Sequence, residues 1–173
     1  MVSSRGRLQY RLAVAAPSID LAYTSFLLAV RRSGIHRLGV FARETIPPRR
    51  KVIEYTGERI NFREARRRWN PRLNYLFALE DNVILDGSVG GSGAEYVNHS
   101  CAPNLGTRYV RGHLLFFSKR MIAKGEELTL DYRYLGGGQQ TYPCRCGAAS
   151  CRGTMILDRR DARGSRAPQR SGR

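Results

Sequence analysis

A chain of 173 residues, 42% of them hydrophobic, can form one domain with its own core, which excludes a globally disordered protein. Lys and Arg total 30 against 14 Asp and Glu, a formal net charge of +16 that favours acidic partners such as nucleic acid, although a simple Arg-rich composition explains it equally well. The apolar stretches fall short of the roughly 18 residues of a membrane span, so we expect an intracellular protein without a membrane partner.

The first 25 residues mix Arg, Ser, Ala and Pro without a clear period, and we expect a loosely ordered N-terminal extension. From Phe26 onward, short runs of β-branched and aromatic residues predict strands. Residues 31–39 have the composition of a turn-rich loop, and the two prolines in 45–50 predict a turn because they cannot pair in a central ladder. The strands predicted in this part of the chain are FLLAV (26–30), VFA (40–42) and KVIEYTGERI (51–60).

A short helix is predicted directly after these strands. Asn61 is suited to cap it, Glu64 stands three residues on, and apolar residues recur at helical spacing up to Trp69 before Pro71 ends the helix. The remaining positions are occupied by Arg63, Arg66, Arg67 and Arg68. These arginines form either a solvated face, which is the commoner outcome, or a face that contacts nucleic acid.

The second half of the chain also favours strands. The predicted elements are a hairpin of 74–80 with 82–87, and two strands at 113–120 and 126–134. A Gly-rich linker (136–140) leads to a Cys-rich segment, and we expect the Arg-rich residues 158–173, which lack an apolar face, to be a disordered basic tail. Many short strands without an alternating βαβ pattern predict a mainly β domain built from several small sheets.

The four cysteines indicate a metal site. Cys144, Cys146 and Cys151 lie together in the segment CRCGAASC, and Cys101 lies far before them. Four thiolates are one ligand set of a tetrahedral Zn²⁺, and this assignment uses every cysteine once. Disulfides and scattered core thiols are the alternatives, of which disulfides fit poorly because C-x-C neighbours rarely bridge and nothing marks the chain as secreted.

Six segments, in the order of the chain, resemble the SET-domain protein lysine methyltransferases that carry a post-SET zinc motif. The most specific is YVNHSCAPN (96–104). The others are SGIHRLGVFA (33–42), VIEYTGE (52–58), NYLF (74–77), GEELTLDY (125–132) and CRCGAASC (144–151). The resemblance covers about residues 26–157 and implies a SET-domain fold of several small sheets with a pseudoknot-like crossing, short helices and a post-SET zinc turn.

The resemblance also implies how the chain is divided. The implied parts are an N-terminal extension at 1–25, a SET domain at 26–135 with an insert at about 61–77, and a post-SET zinc motif at 140–157, before the tail. In the family, this zinc takes one ligand from the cysteine of the NHSC segment, in agreement with the count of cysteines. The implied ligands are Cys101, Cys144, Cys146 and Cys151.

The family's cofactor is S-adenosylmethionine, and the matching positions imply site residues. The predicted catalytic residues are Tyr132 and Tyr75, and the predicted substrate-channel residues are Phe77, Leu130 and Tyr134. The predicted cofactor-binding residues are His36, Leu38, Gly39, Tyr75, Asn98 and His99. We expect the Asn98 amide to face the ligand and to support no core, so that Asn98→Ala weakens cofactor binding with little loss of fold.

Three positions depart from the family pattern. The family usually shows G-x-G where this chain has Arg37-Leu38-Gly39, and Arg is costly there if the position needs a positive φ. Glu95 stands where the family often has a basic residue. Leu130 stands where the family usually has Phe or Tyr, and without a hydroxyl group it predicts room for more than one methyl group on the substrate amine.

The predicted function is therefore S-adenosylmethionine-dependent N-methylation of lysine in a histone or another basic protein. An alternative of a different class is a non-catalytic, zinc-stabilised basic module that binds nucleic acid or chromatin, with the Arg-rich tails in contact with nucleic acid. A SET-like protein that has lost activity is a third, for which Arg37 and Leu130 are the hints. The first function implies the nucleus or chromatin in a eukaryote and the cytoplasm in a bacterium.

Overall fold

Twelve short strands and one α-helix form the regular structure in a computed structural model, which describes residues 16–70, 73–79, 82–135 and 142–157. The strands are β1 (Leu28–Arg32), β2 (Leu38–Ala42), β3 (Lys51–Tyr55), β4 (Glu58–Asn61), β5 (Leu76–Ala78), β6 (Val83–Asp86), β7 (Asn98–His99), β8 (Leu105–Val110), β9 (His113–Ser118), β10 (Thr129–Leu130), β11 (Tyr134–Leu135) and β12 (Ile156–Leu157), and the helix is α1 (Phe62–Arg68). Single 3-10 turns occur at Leu21–Tyr23 and Ala94–Tyr96. The strands form five small sheets within the described residues, which confirms the predicted mainly β fold class.

The main hydrophobic core lies beneath the three-stranded sheet β3–β9–β8. Phe116 in β9, Ile53 in β3 and Leu105 in β8 are each exposed by 1% or less. β9 confirms the strand predicted at 113–120, whereas β8 was not predicted. Beyond Leu105 its residues are mostly exposed because β8 is the edge of the sheet, and they show no apolar alternation.

The first hairpin, β1 with β2, extends into residues predicted to be a loop. β1 continues through Arg32 and β2 begins at Leu38, so that the turn is confined to 33–37. The guanidinium of Arg31 lies 4.3 Å from the ring centre of Phe41, a cross-strand cation–π contact that stabilises this extension. The hairpin carries its turn to the neighbourhood of the NHSC segment, since Asn98 hydrogen-bonds to the carbonyl of Leu38.

The predicted strand 51–60 is divided between two sheets. β3 pairs with β9, whereas β4 pairs with β6. Between them, Gly57 lies so close to the backbone of Asp86 that a Cβ at Gly57 would stand 2.5 Å from the Asp86 carbonyl oxygen. The β-forming pattern continues across this close approach, and for that reason periodicity alone predicted a single strand.

Helix α1 begins where it was predicted. The side chain of Asn61 accepts the N–H of Glu64 at 2.9 Å and caps the helix. At its other end, Arg68 forms ion pairs of 2.6 Å with Glu58 and 2.9 Å with Asp86. Because Asp86 is only 3% exposed, this pair fixes the helix to β6. β6 also pairs with β5, which confirms the predicted hairpin of 74–80 with 82–87.

Two short parallel pairs were not predicted. β7 pairs with β10, and β11 pairs with β12. The predicted strand 126–134 is therefore two short strands with different partners. The pairing of β7 with β10 places the NHSC segment directly beside the LDY segment (130–132). The pseudoknot-like crossing, which requires this proximity, stays a prediction.

Residues 20–25, expected to be part of a loosely ordered extension, are attached to the domain. The N–H of Asp20 donates to the carbonyl of Ser92 at 2.9 Å, and Thr24 forms a β-bridge with Ile53. Residues 1–15, the linker 136–140, the tail 158–173 and Pro71, which was predicted to end the helix, lie outside the described residues. Among the described helices, none has the length and apolar character needed to cross a membrane.

Candidate active site

A cavity of about 920 Å³ lies between the 33–37 turn, the residues that precede β5, the NHSC segment and the Cys-rich segment. The predicted site residues that line it are His36, Leu38, Tyr75, Asn98, His99, Tyr132, Tyr134 and Cys144. Its volume and mixed polar and aromatic lining are those of a small-molecule site. The predicted site residues Gly39, Phe77 and Leu130 are not part of the lining.

A glycine is required at position 39 for a structural reason that the neighbouring sequence does not reveal. A Cβ at this position would overlap the carboxylate of Glu127 and stand 3.1 Å from Nδ2 of Asn98. The same carboxylate accepts the hydroxyl of Ser33 at 2.8 Å and 3.0 Å. Gly39 thus leaves room for a polar cluster that holds the turn, and its contact with a cofactor stays a prediction.

The side chain of Asn98 is engaged by the protein itself. Its amide donates to the carbonyl of Leu38 and to Glu127, both at 2.8 Å, and lies 3.2 Å from the carbonyl of His36. Asn98 is only 6% exposed. The expectation that this amide supports no core is therefore wrong: it joins the 36–39 segment to Glu127. Asn98→Ala is expected to loosen the turn as well as the cavity wall.

His99 connects the cysteines to the LDY segment. It is 3% exposed, Nδ1 accepts the N–H of Tyr132 at 3.1 Å, and Nε2 lies 3.4 Å from the sulfur of Cys101. Burial lowers the pKa of His99, although the nearby Asp131 carboxylate opposes the shift. The neutral ring with an accepting Nδ1 carries its proton on Nε2, directed at Cys101. Its ring is committed to the protein, which leaves its backbone for the predicted cofactor contact.

Tyr132 presents a fixed oxygen to the cavity. Its hydroxyl donates to the carbonyl of Val97 at 2.9 Å, which leaves the lone pairs of the oxygen free. Burial raises the pKa of Tyr132, and the neighbouring Tyr134 and Tyr75 raise it further. The phenol therefore stays neutral at physiological pH and cannot act as a general base, so that its chemistry is that of an oriented acceptor.

Aromatic rings continue around the cavity. The ring centre of Tyr134 is 5.5 Å from that of Tyr132 and 4.8 Å from that of Tyr142. On the facing side, Tyr75 meets Tyr96 edge-on at 5.7 Å. Aromatic faces attract cations, so this wall suits a positively charged ligand group. Neither Tyr96 nor Tyr142 was predicted as a site residue, because no local pattern separates them from core aromatics.

Phe77 and Leu130 lie behind this wall. The ring of Phe77 packs 5.5 Å from Tyr55 and 6.2 Å from Phe116. Leu130 is 5% exposed and pairs with His99 across the parallel strands. Both residues belong to the core that supports the cavity, and their predicted role in a substrate channel stays a prediction.

The four cysteines are brought together, as the sequence predicted. Their sulfur atoms all lie within 4.8 Å of one another, with Cys101 and Cys144 at 3.7 Å, and all four are free of disulfides. Four sulfurs around a tetrahedral Zn²⁺, with Zn–S bonds of about 2.3 Å, stand about 3.8 Å apart. The donor set and its spacing therefore fit this ion.

Backbone N–H groups donate to two of these thiols, Cys101 and Cys146. The N–H of Arg152 donates to Cys101 and that of Cys101 to Cys146, both at 3.4 Å. Burial raises the pKa of Cys101 and Cys144. At Cys146 burial is outweighed by hydrogen bonds from the N–H groups of Cys101 and Ala148 and from the thiols of Cys144 and Cys151, which lower its pKa to about 6. Thiolates stabilised in this way are ready metal ligands.

An ion pair attaches the Cys-rich segment to the LDY segment. Both terminal nitrogens of Arg152 bind the carboxylate of Asp131, at 3.0 Å and 2.8 Å. The pairing of β11 with β12 adds backbone hydrogen bonds at the same place. The Cys-rich segment also lines the cavity through Tyr142, Pro143 and Arg145. Docking of this segment therefore completes the cavity wall. The spacing of the cysteines alone did not predict this contribution to the cavity.

Asn104 and Glu127 are site-supporting residues that the sequence reasoning missed. Asn104 is 1% exposed, donates to Glu126 and to the carbonyl of Glu127, and accepts the N–H of Thr129. It thereby positions β10 beside β7. The signal for Asn104 was its place at the end of the NHSCAPN segment, whereas nothing in the sequence separated Glu127 from the neighbouring Glu126.

Comparisons with known proteins agree with this arrangement. The family described as "SET domain" matches residues 37–133. A histone-lysine N-methyltransferase of Schizosaccharomyces pombe, named H3 lysine-4 specific, is 40% identical over 133 residues, or 71% of this chain and 14% of the relative. One of Chaetomium globosum with the same name is 37% identical over 136 residues, or 72% of this chain and 13% of the relative. The chain thus spans about one seventh of the length of these curated relatives.

A solved structure shares the fold. It is the methyltransferase domain of the human histone-lysine N-methyltransferase SETMAR, with a TM-score of 0.70 and 30% sequence identity. The match covers 78% of this chain and 60% of that one. The family match spans more than half of the sequence and includes the paired NHSC and LDY segments. The chain belongs to the SET-domain family.

Proposed function

We propose that this protein is an S-adenosylmethionine-dependent protein lysine N-methyltransferase. The observation that carries the proposal is the neutral hydroxyl of Tyr132, fixed in the wall of a cavity formed by the matching SET segments. The cofactor supplies a methyl group on a sulfonium, from which a neutral lysine amine takes it by direct displacement. The cavity has the volume for a nucleoside with an amino-acid end, and its aromatic wall suits the positive sulfonium.

The chain's own residues would position the substrate amine and would not transfer protons. Free lysine has a pKa of about 10.4, so that a neutral amine at pH 7 costs roughly 4–5 kcal/mol. Desolvation between Tyr75, Tyr132 and Tyr134 lowers this cost by disfavouring the ammonium form. The lone pairs of the Tyr132 oxygen then hold the amine and the transferred methyl group in line, which is the larger share of catalysis for such a step.

The proposed metal is one Zn²⁺ held by Cys101, Cys144, Cys146 and Cys151. The four sulfurs meet the spacing of a tetrahedral thiolate site. When bound, the ion would cross-link the NHSC segment to the Cys-rich segment, and its role would be structural. Its contribution is to stabilise the wall that Tyr142, Pro143 and Arg145 form.

The proposed substrate is an exposed lysine in a histone tail or another basic protein. Support comes from relatives whose names state histone-lysine methylation, including a histone H3-lysine(4) N-trimethyltransferase of Arabidopsis thaliana that is 37% identical over 139 residues, or 74% of this chain and 13% of the relative. A histone substrate would place the protein on chromatin. The proposed parts remain an extension at 1–25, a SET domain at 26–135 with an insert at about 61–77, a zinc motif at 140–157 and a basic tail.

A basic groove favours the second candidate, a nucleic-acid-binding module. On the outer face of the β3–β9–β8 sheet, a groove of about 310 Å³ is lined by Arg49, Arg108, Lys119 and Phe117. The guanidinium of Arg108 lies 4.6 Å from the ring centre of Phe117. Such a face, like the Arg-rich tails, would bind phosphates without reading sequence. Nucleic-acid binding by this face is compatible with methyl transfer on chromatin. It replaces methyl transfer as the proposed function only if no transfer is observed.

The experiment that tests the proposed function uses S-adenosylmethionine labelled in its methyl group. The full chain is incubated with histone octamers and with a panel of other basic proteins, and products are hydrolysed and examined for methyl-lysine. Label in methyl-lysine is the expected result. The contrary result is a folded protein that binds the cofactor and binds duplex DNA in a salt-dependent way but transfers no methyl group. It would favour the nucleic-acid-binding module over the enzyme.

A further inference from the structure

Two opposite charges, Arg37 and Glu95, line the same cavity without pairing with each other. Both belong to its lining. Among the described residues, the ion pairs join other groups, and none joins these two. A cation and an anion that line one cavity without an ion pair match a ligand that carries both charges.

Arg37 occupies its position at a conformational cost. Its φ is +43°, in the left-handed region that favours glycine, and the family pattern has glycine there. Residues held in this way often serve a function that offsets the strain. The side chain of Arg37 is exposed in the wall of the cavity, so the function that fits is contact with a ligand.

Glu95 is fixed at the other part of the lining. One oxygen of its carboxylate accepts the N–H of Gly93 at 2.8 Å, and the carboxylate packs so close to Gly91 that a Cβ there would stand 2.7 Å from it. Glu95 is partly buried, which restricts its side chain to this place. The family often has a cation here, so that the charge at this position is reversed while a cation appears at 37.

The pKa of Tyr75 reports on both charges. Burial raises it most, the charge of Glu95 raises it further, and the charge of Arg37 lowers it. Both groups therefore act on the same phenol, which itself lines the cavity. Tyr75 therefore lies within electrostatic reach of both Arg37 and Glu95.

We propose that Arg37 binds the α-carboxylate and Glu95 the α-ammonium of the amino-acid end of S-adenosylmethionine. This inference rests on the proposed function and deepens it, because it assigns the orientation of the cofactor in this chain. It also gives one reason for two departures from the family pattern: the cation lost at position 95 reappears at position 37. The ligand class is an α-amino acid joined to a nucleoside through a sulfonium.

The test measures dissociation constants of three ligands by calorimetry. S-adenosylmethionine carries both charges of the amino-acid end, its decarboxylated form keeps only the ammonium, and 5′-deoxy-5′-methylthioadenosine lacks both. Arg37→Gln is expected to weaken binding of the first by about tenfold or more and to leave the other two unchanged. Glu95→Gln is expected to weaken the first and second by a similar factor and to leave the third unchanged.

Two further variants separate charge from fold. Arg37→Gly removes the same charge and relaxes the left-handed turn, so the same selective loss is expected with an equal or higher Tm. Arg32→Gln removes a cation from the end of β1, outside the cavity lining, and is expected to leave all three constants unchanged.

The outcomes distinguish this inference from the proposed function. If the native chain binds S-adenosylmethionine and Arg37→Gln weakens all three ligands equally or none, the orientation is wrong and the proposed function stands. An unaltered affinity for S-adenosylmethionine in Glu95→Gln has the same meaning for Glu95. If the folded native chain binds none of the three ligands, the proposed function fails and this inference fails with it.

Discussion

Nδ1 of His99 accepts the backbone N–H of Tyr132 at 3.1 Å, while the opposite ring nitrogen lies 3.4 Å from the sulfur of Cys101. One buried imidazole therefore stands between the cysteine cluster and the residue proposed to orient the substrate. Because each nitrogen has its own partner, the two contacts can be removed separately.

His99→Asn and His99→Gln form a matched pair. The Asn oxygen reaches the position of Nδ1 and can accept the Tyr132 N–H, whereas the Gln amide reaches the position of Nε2 and can donate to Cys101. We expect His99→Asn to keep more turnover and His99→Gln to keep tighter zinc. Steady-state rates and zinc release to a colorimetric chelator measure the two effects. Equal loss of both properties in both variants would show that the ring serves only packing.

Zinc content is the second prediction. The purified full chain is expected to contain one zinc ion, measured by elemental analysis, because four thiolates with suitable spacing surround one point. Cys151→Ser is expected to lose the ion, lower Tm and expose the 142–157 segment to protease, since loss of a structural metal removes folding free energy. Metal-free protein of unchanged Tm, purified without chelator, would contradict this account of the cysteines.

The third prediction concerns pH and Asp86. Burial alone would raise the pKa of Asp86, but hydrogen bonds from Ser88 and the ion pair with Arg68 outweigh it and lower the pKa. A lowered pKa means that the carboxylate stabilises the fold above its unfolded pKa of about 3.9, and that this stability is lost as pH falls through the lower folded value. Asp86→Asn is expected to cost about 1–3 kcal/mol at pH 7 and to flatten the acid limb of the Tm–pH curve.

Asp20→Asn is the control for this experiment. Asp20 is exposed and accepts the N–H of Ala22, so the change removes a carboxylate that is not buried. Its acid limb should follow that of the native chain. If Asp86→Asn has the same acid limb as the native chain, the Asp86–Arg68 contact does not stabilise the fold through charge.

Much of the site could be predicted from the sequence because its residues lie in short contiguous segments. Cys101 and the CRCGAASC cysteines were predicted to meet, and they do. The polar support could not be predicted in the same way. Asn98 was expected to face the ligand and to support no core, but its amide donates to Leu38 and Glu127, a contact between segments that no local pattern encodes.

The division of the predicted strands was missed for a related reason. Thr56 and Gly57 continue the β pattern of 51–60, and the division between β3 and β4 appears only in their different partners and in the approach of the Asp86 backbone to Gly57. The same holds for the two-residue strands β7 and β10, whose parallel pairing joins segments far apart in the sequence. Periodicity reports local burial, whereas these features depend on which distant segment arrives beside the chain.

The fourth prediction concerns the number of methyl groups added. Leu130 carries no hydroxyl, and the native chain is expected to give di- or trimethyl-lysine under excess cofactor. Leu130→Tyr is expected to shift the product toward monomethyl-lysine, with a stability cost of about 1–3 kcal/mol because Leu130 is 5% exposed in the core. Leu130→Phe is the matched control, because its ring has nearly the size of the Tyr ring but carries no hydroxyl. Mass spectrometry of the modified peptide distinguishes the products, and a native chain that stops at one methyl group contradicts this reading of Leu130.

The proposed role of Tyr132 is tested most directly by the rate of methyl transfer in Tyr132→Phe. The variant removes one hydroxyl, whose hydrogen bond to Val97 fixes its oxygen in the cavity wall. Tm, zinc content and the dissociation constant for S-adenosylmethionine should stay near those of the native chain, while the rate of methyl-lysine formation on histone octamers falls by about 10²-fold or more. A Tyr132→Phe variant that binds the cofactor and transfers methyl groups at the native rate would show that the Tyr132 hydroxyl does not orient the reacting groups.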